Sequence, residues 1–176
     1  MDTTEKSGWI EQLSVPHRAK AAFQTLLGMG FTVVPSARDG LRHPHADVRY
    51  YCVRLLDHFL VPEALEELIF LLDDPDKRVR TMVLHTLACD RCKEGSCRPQ
   101  ESEVLPPALA CLRQDDHPHV RAMAVEVVGQ FAHTNPQAAL ALEAAHTHDP
   151  TPTVRKKAGW YAPGGPIYTR KESHRR

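Results

Sequence analysis

The sequence predicts an all-α fold, an α-solenoid of about four to five stacked antiparallel helix pairs, and three observations carry that prediction. The dipeptide Val-Arg recurs as Val48-Arg49, Val79-Arg80, Val120-Arg121 and Val154-Arg155. Five residues before each valine stands His43, Asp74, Asp115 or Asp149, with Pro44, Pro75 and Pro150 directly after three of them and Pro118 displaced in the remaining copy. Apolar residues then follow the valine at offsets of four, five and eight: Cys52, Val53 and Leu56; Val83, Leu84 and Leu87; Ala124, Val125 and Val128. At 100° per residue these offsets fall within an arc of about 140° on one side of a helix. A lone helix pair cannot hide such a stripe, whereas stacked pairs share one continuous core. Nothing alternates with a period of two over a useful length, so no sheet is expected.

The elements follow in chain order. Thr3 to Leu13 reads as a short capping helix, and Ser14 with Pro16 opens a helix through Leu27 that Gly28 and Gly30 close. An Asp followed by Pro is a helix-start signal: the carboxylate is expected to accept from the free amides of the first turn, and proline fits where an N–H would lack a partner anyway. Each Val-Arg therefore lies one turn inside a helix. Further helical patterns fill the intervals over Val61 to Leu72, Val104 to Leu112 and Pro136 to Ala145. The fourth copy offers only Ala158, Gly159 and Ala162, the poorer stripe of a terminal unit. The pair Trp160-Tyr161 reads as a hydrophobic cap on the last helix or as an aromatic binding anchor. Residues 1–162 thus form the solenoid, with 1–14 as its N-terminal cap, and 163–176 form a flexible basic tail.

The chain has 176 residues with 22 basic and 22 acidic side chains, 11 histidines, five cysteines and 42% hydrophobic residues. That composition excludes wholesale disorder, and no stretch reaches the ~18 to 20 uninterrupted apolar residues that span a bilayer. Residues 1–8 hold two acids and no apolar run, so a cytoplasmic protein with reduced thiols is expected. The zero net charge hides an asymmetry. Residues 150–176 carry seven basic side chains against the single acid Glu172, a charge of +6 that residues 1–149 balance with −6. An acidic array lacks the electrostatic term that dominates nucleic-acid binding, so a protein partner is the expected one, with neither nucleic acid nor membrane.

The pattern Asp-Pro-x-x-x-Val-Arg, preceded by Ala-Leu-x-x-Leu-x-x-Leu-Leu-x-Asp, resembles HEAT repeats in their PBS-lyase HEAT-like form. Residues 61–88 carry the best match, and the resemblance extends over roughly residues 15–160. Small bacterial HEAT proteins of unassigned function are similar around the Cys-Asp-Arg-Cys-Lys-Glu-Gly-Ser-Cys-Arg-Pro segment and the Trp160-Tyr161 ending. The resemblance implies a right-handed superhelix whose second helices line a concave face that holds other macromolecules. It also brings alkylpurine DNA glycosylases and bilin lyases into view as enzymes on similar scaffolds.

The Val-to-Val intervals are 31, 41 and 34 residues, and the surplus lies in the inserted loop 89–100. Three of the five cysteines, Cys89, Cys92 and Cys97, fall within nine residues of it. Cys-x-x-Cys thiolates reach one tetrahedral ion, and Cys97 swings in past the flexible Gly95. His85, four residues before Cys89 on the same helix face, completes a Cys3His set. The expected metal ligands are therefore His85, Cys89, Cys92 and Cys97, and the expected cofactor is a structural zinc that pins a loop without apolar residues. Reduced thiols without a role, and a redox pair, stay open beside it, because Arg91, Lys93 and Arg98 lower thiol pKa values for either chemistry. Cys52 and Cys111 read as buried small hydrophobes. His43, His45, His117, His119, His146 and His148 form i, i+2 pairs at the inter-helix turns, where a second metal site competes with plain solvated side chains.

Phosphate-loop, dinucleotide, nucleophile-elbow and zincin motifs are all absent from the sequence. The expected function is a non-catalytic protein–protein interaction module or scaffold that uses a concave solenoid face. The alternative is a HEAT-scaffold enzyme or nucleic-acid-processing protein, DNA glycosylase-like or thiol redox, that uses the Cys loop. The sequence specifies neither the partner nor the oligomeric state.

Overall fold

The computed structural model describes residues 3–88 and 100–173. The described residues contain helices and turns and no strand, and the fold is the expected all-α solenoid of stacked helix pairs. The chain divides into two compact units, residues 1–98 and 99–176.

In the first unit, α1 (Thr3–Glu11) runs through a single 3-10 turn into α2 (Pro16–Gly28), as the Ser14/Pro16 signal predicts. A 3-10 turn at Gly30–Val33 leads to α3 (Val34–Gly40), a helix the sequence reading did not contain. Val34, Ala37 and Leu41 bury its inner side, so α3 is the partner that α4 (Ala46–His58) needs to cover its stripe. The interval Val61 to Leu72 is helical in three pieces: a 3-10 turn at Pro62–Ala64, α5 (Leu65–Phe70) and a second 3-10 turn at Leu71–Asp73. Helix α6 (Lys77–Ala88) closes the unit and packs on α4. The repeat stripe is fully buried where it was expected: Val48, Cys52, Val53 and Leu56 on α4, and Val79, Val83 and Leu84 on α6.

The second unit is a regular two-layer stack. Helix α7 (Glu101–Gln114) pairs with α8 (Pro118–Val128), α9 (Pro136–His148) pairs with α10 (Pro152–Tyr161), α8 lies on α10, and α7 lies on α9. Pro106 and Pro107 sit inside α7. They deprive the carbonyls of Ser102 and Glu103 of helical donors, which is tolerable because both residues are exposed to water. The segment read as a flexible tail contains a further helix, α11 (Pro166–Ser173). Gly164 turns the chain into it with φ 81°, a left-handed conformation that glycine adopts without steric cost. The Tyr168 ring stacks on His133 at 3.8 Å, and His133 Nε2 lies 3.1 Å from the Tyr168 carbonyl. No helix among the described residues is long and apolar enough to cross a membrane.

Candidate interaction face

Setting the four Val-Arg copies in register separates positions that face the core and the turns from positions that face away from them. The arginine of each pair points back over its own turn. Arg49 Nη1 donates to the carbonyls of His43 and Pro44, Arg80 Nη1 to those of Asp74 and Pro75, Arg121 Nη1 to that of Asp115, and Arg155 Nη1 to those of Asp149 and Pro150. Two of them also grip the acid of the following turn with both ends of the guanidinium. Arg49 binds Asp74 at 2.6 and 2.9 Å, and Arg121 binds Asp149 at 2.7 and 3.1 Å. Asp74 and Asp149 are buried, and such forked, charge-assisted pairs are the strongest hydrogen bonds available to the turn. They hold Arg49 and Arg121 protonated beyond their ordinary range, against the opposing effect of burial.

The structure corrects the expected capping. Asp74, Asp115 and Asp149 are not the helix N-caps. Each carboxylate accepts from the amide two residues on, that of Asp76, His117 or Thr151, and so braces the turn before the helix begins. The caps proper are His45, Asp76 and His117, which accept from the amides of Asp47, Arg78 and His119. In the first copy His43 takes the aspartate's place, its Nδ1 accepting from His45 N at 3.0 Å while Nε2 faces Glu11. His43, His45 and His117 are thus hydrogen-bond acceptors for backbone. His146 Nδ1 instead donates to the Arg155 carbonyl. Among the described residues no cluster of three or more His, Cys, Asp or Glu side chains is placed to hold a metal.

The positions one residue before each valine and two, three and six after it fall on the side opposite the core stripe. They are Asp47, Tyr50, Tyr51 and Arg54 on α4; Arg78, Thr81, Met82 and His85 on α6; His119, Ala122, Met123 and Glu126 on α8; and Thr153, Lys156, Lys157 and Trp160 on α10. Every one is exposed or half-buried. Neighbouring helices are cross-linked through them within each unit. Arg78 Nη1 reaches Asp47 at 2.7 Å and also grips Asp76, whose carboxyl is held below its ordinary range chiefly by that guanidinium. Lys157 pairs with Glu126 and touches Met123 Sδ at 3.8 Å. Lys156 stands over the Trp160 ring at 5.6 Å, a cation–π distance. Trp160 is 41% exposed, while Tyr161 fills the space left by the missing side chain of Gly129.

Of the four expected metal ligands, His85 lies on this face, exposed, with Nε2 3.9 Å from Asp57 Oδ2. Cys89, Cys92 and Cys97 fall outside the described residues. Asp57 Oδ1 is buried and accepts no hydrogen bond. Cys52 and Cys111 are buried and outside any disulfide, as expected. The sequence reading did not single out the variable face, although the repeat register alone locates it by subtraction.

The fold is shared with solved proteins at low identity. The chain superposes with a TM-score of 0.70 and 19% identity, over 91% of its length and 99% of the other chain, on the complex of CpcE and CpcF of phycocyanin lyase from Nostoc sp. PCC7120. It also superposes with a TM-score of 0.58 and 18% identity, over 89% of its length and 80% of the other, on a designed armadillo repeat protein in complex with the peptide (KR)4. No curated protein matches the sequence. The family model described as HEAT repeats matches residues 34–98 and 92–161. With that match covering most of its length, and with the turn aspartates and Val-Arg arginines locked into the stack, the chain belongs to the HEAT repeat family.

Proposed function

We propose that the protein is a non-catalytic interaction module that holds a protein partner on the exposed faces of its Val-Arg helices in the cytoplasm. One observation carries this reading: the recurring turn acids and Val-Arg arginines are spent on turn backbone and, at Arg49–Asp74 and Arg121–Asp149, on each other, so recognition chemistry is left to the variable positions. Seven of those sixteen positions carry tyrosine, tryptophan, methionine or arginine, side-chain types enriched at protein interfaces, beside Asp47, Glu126, Lys156 and Lys157. Both solved neighbours support it, since one was captured with CpcF and the other with a peptide. The test is site-specific photocrosslinking in cells with benzoylphenylalanine at Thr81, at Met123, or at Glu66 on the other helix layer. Discrete adducts from Thr81 and Met123 that are absent from Glu66 are expected. Equal labelling at all three, or none, overturns the reading.

Within the module we propose a structural zinc held by His85, Cys89, Cys92 and Cys97. The donor set suits zinc, and the carboxylate of Asp57 beside His85 is the kind of partner that orients a histidine ligand through its second nitrogen. Zinc analysis of protein purified without chelator should give about one ion per chain, lost in Cys92→Ala. Protein without zinc, or with zinc retained in that variant, rules the site out.

A further inference from the structure

Arg54 is treated differently from the arginines that hold the repeats together. Arg38, Arg49, Arg78 and Arg121 each grip a carboxylate. The Arg54 guanidinium instead lies 4.4 Å from the centre of the buried Phe23 ring, with the Tyr51 and Tyr50 rings at 5.5 and 5.7 Å. Among the described residues it makes no hydrogen bond or ion pair. Of the two acids on the same helix, Asp47 is bound by Arg78, and Asp57 has Oδ2 3.9 Å from His85 and Oδ1 without a hydrogen bond; neither pairs with Arg54. With the rings on the guanidinium and no oxygen acceptor on its nitrogens among the described residues, the N–H donors stay available for a planar acceptor. The three rings also fix the fork in place and strip part of its water, which removes much of the ordering cost that a surface arginine incurs on binding. Phe23 and Tyr51 are themselves packed ring to ring at 5.5 Å, and Tyr50 and Tyr51 meet edge-on at 5.3 Å. The cluster is therefore a braced platform on the variable face.

We infer that Arg54, seated on Phe23 between Tyr50 and Tyr51, is the receptor for a side-chain carboxylate of the partner, so that the α4 and α6 face of the first unit binds an acidic, aromatic-containing peptide segment. The inference rests on the interaction-module reading and names its ligand chemistry. A carboxylate accepts two parallel N–H bonds from the fork, and apolar or aromatic side chains beside it cover the tyrosine rings. Lysine in place of Arg54 keeps the charge and loses both the fork and the ring stack.

Fluorescence anisotropy with labelled, C-terminally amidated peptides tests this on the full chain: (Glu-Tyr)4, (Gln-Tyr)4 and (Lys-Arg)4. The acidic peptide is expected to bind, with the other two at least tenfold weaker. Arg54→Met, which retains the stem over Phe23, should weaken (Glu-Tyr)4 at least tenfold with an unchanged circular dichroism spectrum, and Arg54→Lys should recover only part of the loss. Equal binding of (Gln-Tyr)4, no binding of (Glu-Tyr)4, or no effect of Arg54→Met overturns the inference. If that happens while Thr81 still crosslinks a partner in cells, carboxylate recognition falls and the interaction face stands. If the crosslink is lost as well, both fall.

Discussion

Removing the acid of the last turn, Asp149→Ala, tests the energetic core of the stack. In the folded protein the Asp149 side chain is 5% exposed and that of Arg121 9%. Asp149 accepts from Arg121 Nε and Nη2 and from the Thr151 amide at 2.8 Å. Its loss strands a buried guanidinium, and breaking one partner of a buried pair costs about 3 to 5 kcal/mol. Arg121 keeps bonds to the Asp115 carbonyl and to Thr151 Oγ1, which places the cost near the low end, about 3 kcal/mol. For a chain of this size that lowers Tm by roughly 6 to 12 °C. Arg121→Met should cost a similar amount, and the double variant should fall short of the sum by about 2 kcal/mol or more, since the two changes remove one shared interaction. Burial alone would raise the Asp149 pKa, but the Arg121 bond, the Thr151 amide and the Arg155 field together hold it below the ordinary value of 3.8. A carboxyl depressed in the folded state stabilises above its unfolded pKa and loses that contribution as pH falls through the folded value. The wild-type advantage over Asp149→Ala should therefore be full near neutrality and shrink below about pH 4. Urea titration followed by Trp160 fluorescence in a Trp9→Phe background measures all of this. A cost under 1 kcal/mol, strict additivity, or a gap that widens in acid would refute the reasoning.

Three further outcomes follow from the packing. Gly129→Ala drives a methyl into the Tyr161 ring and against the Val125 carbonyl, so it should destabilise by about 1 to 3 kcal/mol, and a Tyr161→Ala background should relieve most of that in thermal melts. His117→Ala removes the acceptor for the His119 amide and should cost about 1 kcal/mol, with His117→Ser restoring it; equal stability of all three would remove the histidine cap. Burial pushes the Cys52 thiol well above its ordinary range, so a variant with Cys52 as its only cysteine should resist aromatic disulfide reagents when folded and react at once in urea. Rapid labelling of the folded form would contradict its place in the core.

The helix pairs were legible in the sequence because stacking imposes the same apolar offsets on every copy, and helix periodicity turns those offsets into faces. What was illegible depended on contacts distant in sequence or on local chemistry that mimics another residue. Helix α3 spans seven residues and carries no Asp-Pro signal; it is defined by what it covers. Helix α11 reads as a basic tail until Tyr168 meets His133, 35 residues earlier. The capping roles were misassigned by two residues because aspartate side chains reach forward to the turn amide, and because the ring Nδ1 of His45 or His117 accepts a hydrogen bond as asparagine would. The outward face is contained in the repeat register, but its distinguishing positions are those that do not recur. Arg54 could be found from sequence only as a charge; that rings rather than acids hold it depends on Phe23, 31 residues upstream.

The direction of the rungs bears on how such a molecule grows over generations. Arg49 and Arg121 each reach backward to carbonyls of their own turn and forward to one acid, 25 and 28 residues ahead. Every such rung answers only to its immediate successor. A gene duplication that copies one whole module therefore delivers a matched donor and acceptor together and strands no charge, whereas a break within a module leaves an arginine without its acid. Lengthening by complete modules is the route this wiring permits, and the outward residues of a new copy are then free to diverge toward a new ligand.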